Sequence, residues 1–265
     1  MSTIIGIFFG VSLLIGSILL MGGGYQIFLD PAALMIVLGG TLAATLISFP
    51  LTLVLGIFKI SIRLFRNNHE VSLERSLERV LQLALKASQT SIYALEREAD
   101  AETNPYIKAG LQLLVKDSPI QRISRFYTME IEGVRVRHQQ GVRLFTVMSK
   151  VAPSFGLVGT LLGLINMLRG ITAEISPETL GPSMAVAMIT TLYGALLAFL
   201  LFLPASEKLR SSSTEEITQI NLIRDGILMI KEGYTPREME QMLQTHISRG
   251  KRRSYIDKLT MQGGG

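Results

Sequence analysis

The sequence predicts an all-α polytopic membrane protein: four transmembrane helices, a helical cytoplasmic domain between helices two and three, and a helical C-terminal tail. Three observations predict it. Hydrophobic residues make up 48% of the chain and its mean hydropathy is +0.37, which soluble domains rarely reach. Four apolar stretches approach or exceed the roughly 20 helical residues needed to cross a hydrocarbon core about 30 Å thick. Lys and Arg gather on one side of those stretches, as in cytoplasmic loops.

The first span is Ile4–Met21. Its start, Met-Ser-Thr, lacks the basic region of a signal peptide, and no Ala-x-Ala-like cleavage site follows, so the span is read as retained. Gly22-Gly23-Gly24 breaks it. Pro31, placed for a first helical turn, opens a second span from Ala32 to about Ile57, with a kink expected at Pro50. The third and fourth spans, Val151–Leu168 and Leu180–Ala205, contain no Asp, Glu, Lys, Arg or His. Span two exits into Lys59, Arg63 and Arg66. Span three is entered after Arg135, Arg137, Arg143 and Lys150, and span four exits into Lys208 and Arg210. The 22–31 loop has no Lys or Arg, and the 169–181 loop has only Arg169. This bias puts residues 58–150, residues 206–265 and both termini in the cytoplasm. The expected segments are 1–57 (helices one and two), 58–147 (cytoplasmic domain), 148–206 (helices three and four) and 207–265 (tail).

Residues 70–147 have no long apolar run but are periodic. Leu73, Leu77, Val80, Leu81 and Ala84 fall on one face of a helix, with Ser72 as a plain N-cap. A second helix covers Ile92 to about Ala101. Pro105 starts a third, to Val115, and Asp117-Ser118-Pro119 marks a turn before a fourth that leads from Ile120 into span three. No strands are expected. In the tail, Thr214 is placed to cap a helix through Ile230 after the polar Ser211-Ser212-Ser213. Gly233 stops that helix, and Thr235-Pro236 restarts it as Arg237–Ser248. Beyond Arg249 the chain turns basic and is expected to be disordered.

Several functions are excluded. Without Cys there is no disulfide, thiolate–zinc site, iron–sulfur cluster or thiol nucleophile. His69, His138 and His246 are far apart in polar segments and read as solvated. The net charge of +5 comes from cations beside membrane spans, and Lys251-Arg252-Arg253 suits anionic headgroups better than nucleic acid. GLVGTLLG resembles a phosphate-binding loop but lacks its Lys-Ser/Thr ending and lies inside a span.

The last two spans carry the chemistry. Gly156, Gly159, Thr160 and Gly163 lie on one side of span three, and Ala187, Thr190, Thr191 and Gly194 give span four a similar smooth strip, as helices packing closely in lipid require. Thr160, Thr190 and Thr191 put hydroxyls at mid-membrane. Two readings are open for each: a bond back to its own helix, or an oxygen wall for a partly dehydrated cation. Pro153 and Pro204 each remove a backbone donor and free a carbonyl, and these carbonyls are expected beside the hydroxyls. A cation at mid-membrane calls for a nearby carboxylate. The spans have none, with Asp30 and Glu174 outside them, so a partner must supply it.

The stretches VAPSFGLVGTLLGLINML at 151–168, GPSMAVAMITTLYGALLAFLLFLPASEKL at 181–209 and IRDGILMIKEGYTPREMEQML at 223–243 resemble the MotA/PomA family of flagellar stator subunits. The related ExbB/TolQ subunits share the Pro-and-Gly motif but have three spans. The resemblance implies a multi-pass protein of the bacterial inner membrane that is an ion-driven motor and channel subunit, not an enzyme. It implies a homo-oligomeric ring, a pentamer in the family, around a single-span B-type partner carrying an ion-binding Asp and a peptidoglycan-binding domain. The ring would push on a rotor protein of the flagellar switch. No cofactor is implied, only a transported ion. Pro153 and Pro204 match the family's functional prolines. Thr160 and the Thr190-Thr191 pair match hydroxyls of sodium-driven members, so sodium is favoured over protons, with Thr160 and Thr191 as the candidate sodium ligands. Lys86, Glu96, Arg97 and Glu98 mark the rotor-facing region. Its usual basic pair is replaced by Ala87-Ser88-Gln89-Thr90, and Lys150 stands where relatives often carry an acid. These departures leave a second role open, as a stator-like energiser of a non-flagellar envelope process such as transport.

Overall fold

Helices account for nearly all of the computed structural model, which describes residues 2–20, 28–66, 73–171 and 177–256. Helix α1 is Ser2–Leu20 and α2 is Pro31–Ser48. Next come α3 (Leu51–Arg66), α4 (Leu73–Gln89), a 3-10 turn (Ile92–Leu95), α5 (Glu96–Ala101) and α6 (Pro105–Val115). The chain continues through α7 (Ile120–Ile171), α8 (Pro177–Leu196), a π segment (Leu197–Phe202), α9 (Leu203–Glu232) and α10 (Pro236–Leu243). Among the described residues there is no strand. Three helices there are long and apolar enough to cross a membrane, within Pro31–Ser48, Ile120–Arg169 and Leu180–Glu232; Phe8–Leu20 is apolar but shorter.

The chain divides into two compact units, one of residues 1–69 and 138–210, the other of residues 70–137 and 211–265. In the first, Val54 and Ile57 of α3 pack with Leu144, Phe145, Met148 and Ala152 of α7 and with Phe202, Ala205 and Leu209 near the start of α9. In the second, the predicted face of α4 (Leu77, Val80, Leu81, Ala84) is buried with Ile107, Leu111, Ile123, Tyr127, Ile223 and Ile227. Glycine permits two of these contacts. A Cβ on Gly110 would lie 2.1 Å from the Tyr127 hydroxyl, and one on Gly226 would lie 2.3 Å from Val80 Cγ1. The Tyr127 hydroxyl donates to the Tyr106 carbonyl at 2.9 Å.

Caps define the helix ends. Asp30 accepts from the amides of Ala32 and Ala33, Asn104 from those of Tyr106 and Ile107. Thr235 and Glu238 form a reciprocal capping box. Helix α6 ends with Asp117 in the left-handed region (φ 52°), its amide reaching the Leu114 carbonyl and that of Ser118 the Leu113 carbonyl. Gly233 (φ 80°) ends α9 in the same way, with the Tyr234 amide bonded to the Met229 carbonyl.

The structure corrects four expectations. Pro50 breaks span two where a kink was expected: Phe49 is extended (φ −136°, ψ 144°) and a new helix starts at Leu51. The proline lacks an amide and its ring pushes the preceding residue out of the helical region. Thr214 is not a cap, because α9 continues through it and the Ser211–Ser213 run, and the Thr218 hydroxyl bonds back to the Thr214 carbonyl. Disorder does not begin at Arg249. Tyr255 and Ile256 are buried, their amides on the Glu240 carboxylate, and Lys251 pairs with Glu74 at 3.1 Å. His246 is not a solvated side chain but half-buried, its Nε2 3.0 Å from Asp225 Oδ2. Ser72, His69, Gly22–Gly24, Glu174 and the last nine residues lie outside the described residues.

Candidate ion-pathway site

Helix α7 from Pro153 onward runs against α8 at backbone distance. A Cβ added to Gly159 would lie 2.5 Å from Thr190 Cβ, one on Gly163 2.8 Å from Ala187 Cβ, and one on Gly156 3.0 Å from the Thr190 carbonyl oxygen. From the other side, a Cβ on Gly194 would lie 2.8 Å from the Ala152 carbonyl and 3.1 Å from Pro153 Cα. The four glycines therefore form the contact line itself, where small residues let helix backbones meet.

The three threonines part company on this line. Thr190 is fully buried against Gly159 and donates to the Ala187 carbonyl at 2.9 Å. Thr160 and Thr191 bring their hydroxyl oxygens to 2.6 Å of each other. Thr160 is half-buried and Thr191 exposed, so this pair faces outward. The Thr160 hydroxyl also lies 2.9 Å from the Ala187 carbonyl and 3.1 Å from the Gly156 carbonyl, and the Thr191 hydroxyl 3.5 Å from the Ala187 carbonyl. Two hydroxyls and two carbonyls thus converge with no ionisable side chain in either apolar stretch.

The prolines serve other places. Pro153 lies inside α7 beside Gly194. The carbonyl it leaves unbonded is that of Ser149, eleven residues before Thr160, or about 16 Å along a helix axis. Pro204 stands two residues beyond the π segment Leu197–Phe202, whose wider turn accommodates a residue that cannot donate. The carbonyls beside the hydroxyls are therefore those of Ala187 and Gly156, not those freed by proline.

Other polar ties hold the same unit together and were not singled out in the sequence. The Thr146 and Ser206 hydroxyls meet at 2.9 Å, and both reach the Val142 carbonyl. Asn166 donates to the Ser183 hydroxyl at 3.1 Å. The Tyr193 hydroxyl donates to the Phe28 carbonyl and accepts from the Asp30 amide. Each pairing joins residues remote in sequence, so no local pattern signals it; an isolated Ser, Thr or Asn in an apolar run was the available hint.

The candidate rotor-facing residues belong to a charged cluster on α4 and α5. Lys86 pairs with Glu98 at 2.7 Å, and Arg79 pairs with both Glu98 and Glu102 at 2.8 Å. Glu96 and Arg97 are exposed. Hydrogen bonds from Lys86 and then Arg79 hold the Glu98 carboxyl below its usual range. Burial would raise the Glu102 carboxyl, but the Asn104 amide, Arg79 and the Thr103 amide together bring it down. Arg79 is the residue missed by sequence reasoning; a basic residue on an amphipathic helix gives no sign of which acids it meets.

Residues 98–222 match the model of the MotA/TolQ/ExbB proton channel family. The chain is 32% identical over 258 residues to the chemotaxis protein PomA of Vibrio alginolyticus, covering 97% of this chain and 99% of that one. Its fold matches the flagellar MotAB stator complex from Bacillus subtilis with a TM-score of 0.82 at 27% identity, covering 98% of this chain and 97% of that one. It matches the C. jejuni MotAB structure with a TM-score of 0.88 at 23% identity, covering 96% and 98%. The chain belongs to the MotA/TolQ/ExbB proton channel family, among its MotA and PomA members.

Proposed function

We propose that this chain is the A-type stator subunit of an ion-driven rotary motor in the bacterial inner membrane, with both termini cytoplasmic. It works with a single-span B-type partner whose membrane Asp carries the ion and whose outer domain holds peptidoglycan. A ring of five copies surrounds that partner and turns the flagellar rotor through the α4–α5 surface. The subunit makes and breaks no covalent bond. The likeness to PomA and to two MotAB structures supports the stator role. Its coupling to sodium rests on one observation: the outward-facing Thr160–Thr191 hydroxyl pair over the Ala187 carbonyl. Neutral oxygens of this kind replace part of a sodium ion's hydration shell, and the missing negative charge is the partner's to supply.

Rotation speed measured against external sodium tests this. Thr160→Ala and Thr191→Ala are each expected to raise the sodium concentration needed for half-maximal speed. A motor that follows the proton gradient and ignores sodium ends the sodium reading and leaves the stator reading standing. A second role, energising a non-flagellar envelope process, is favoured by one feature: the Lys86 charge on that surface is already held by Glu98. A swimming assay of a deletion strain separates the two roles.

A further inference from the structure

We propose that the cleft between the end of α9 and α10 is a docking site for a partner polypeptide, taking an apolar side chain that stands next to a Lys or Arg. Its lining falls wholly within the unit of residues 70–137 and 211–265. Two local events make it: Gly233 ends α9, and the Thr235–Glu238 capping box restarts the chain as α10. The 3-10 turn Gln244–His246 then returns to α9, where His246 meets Asp225. The cleft holds about 340 Å3, at the small end of the range for ligand clefts, which suits a side chain better than a cofactor. Met229 and Leu243 are the buried part of its lining, and Tyr234 and Met242 are 40% and 49% exposed. Among the described residues this unit exposes three other large hydrophobic side chains, Tyr93, Met129 and Val136. Two of five therefore flank one cleft, a concentration that marks an interaction site, and methionines adapt to varied partners.

The charge left over at this cleft is negative, which specifies the occupant. Lys231 is paired with Asp117, and Arg224 with Asp225 at 2.9 Å. Arg237 of α10 stands outside the lining. Glu232 lines the cleft and is exposed, and no ion pair among the described residues holds it. It belongs to the last turn of α9, where the helix carbonyls add partial negative charge. Two residues on, Tyr234 supplies an aromatic ring, whose face attracts cations. The hydrogen-bonding capacity that remains is mainly that of acceptors. Thr245 gives its hydrogen to the Met242 carbonyl at 2.6 Å, and a neutral His246 that donates from Nε2 to Asp225 keeps Nδ1 as an acceptor. An apolar anchor for the methionines and a cation for Glu232 and Tyr234 complete the set. None of these residues belongs to the α4–α5 cluster, and the site does not depend on ion conduction.

The test uses the full chain, as the assembly that extracts from the membrane, in phosphatidylcholine nanodiscs with isotope-labelled methionine methyls. The probes are two soluble peptides, acetyl-Lys-Phe-Leu-Lys-amide and acetyl-Glu-Phe-Leu-Glu-amide. Met229→Leu and Met242→Leu assign the two methyl signals of the cleft. The lysine peptide is expected to shift both signals to saturation, and the glutamate peptide to need about tenfold more for half the shift. Glu232→Gln should raise the lysine peptide needed for half the shift about threefold, and Met242→Ala about tenfold. Glu232 is exposed, so Glu232→Gln stays readable if the methionine variants are less stable. The proposal is overturned if the glutamate peptide binds as well as the lysine peptide, or if Glu232→Gln binds the lysine peptide as the unaltered chain does. It is equally overturned if neither peptide moves these signals, which would leave the cleft to a second copy or to no occupant. Because no flux or rotation is measured, failure of the motor reading would leave this result unaffected.

Discussion

Arg79 shows how much one side chain can hold. Its guanidinium spans two acids, and the Glu102 side chain is only 7% exposed. Removing one partner of a buried pair leaves the other desolvated. Arg79→Gln is therefore expected to cost about 2–3 kcal/mol, seen as faster amide exchange in α4 and α5; an unchanged exchange rate would mean that the amides of Thr103 and Asn104 suffice for Glu102. Paired acids of this unit also set an acid limit. Glu98, Glu102 and Asp225 all titrate below their usual range when folded, Asp225 because bonds from His246 and Arg224 outweigh its burial. Their contribution is complete above the unfolded carboxylate range, about 4, and disappears as pH falls through it towards the lower folded values. Glu102→Gln should accordingly flatten the fall in thermal midpoint below about pH 4. Close packing gives a further expectation. In Gly159→Ala the new methyl meets Thr190 Cβ at 2.5 Å and should cost about 1–3 kcal/mol, read as a lower thermal midpoint. The glycines were legible because small residues at helical spacing have few other uses in an apolar span. The partners of Arg79 were not, because they lie 19 and 23 residues away.

At the scale of elements, punctuation was read more reliably than continuity. Pro105 and Asp117-Ser118-Pro119 bound α6 as the sequence suggests, since a first-turn proline and a forced turn are local events. Both π segments, Met35–Gly39 and Leu197–Phe202, were missed, because one wider turn does not alter the apolar pattern around it. Ser211–Ser213 reads as a polar stretch ahead of a new helix, yet α9 runs through it, since packing of Ile220, Ile223 and Ile227 overrides a weak local preference. The break at Pro50 can be tested directly. Spin labels at the exposed Leu42 and Leu55 should approach the roughly 20 Å of thirteen continuous helical residues in Pro50→Ala. An unchanged distance would assign the break to tertiary contacts. Thr235→Ala should cost about 1 kcal/mol and speed amide exchange at Arg237, Glu238 and Met239.

For the molecule as a whole, the distribution of charge carries most weight. The α7–α8 line provides hydroxyls and carbonyls but no acid, while most of the ion-paired acids among the described residues lie in the other unit. Vesicles containing this chain alone are expected to pass no sodium. Flux should appear with the B-type partner and vanish when that partner's membrane Asp becomes Asn. Flux through the chain alone would show that the hydroxyl wall needs no borrowed charge.

The Thr160–Thr191 contact has a consequence in proton order. Each hydroxyl has one hydrogen, and either can donate to the other at 2.6 Å. With Thr191 donating, Thr160 donates to the Ala187 carbonyl and Thr191 turns lone pairs outward. With Thr160 donating, Thr191 is free to aim its own hydrogen outward. Under the proposed function, the first arrangement would face a metal ion with electron density and the second a carboxylate with an O–H donor. Turning two O–H bonds converts one into the other, with every heavy atom at rest.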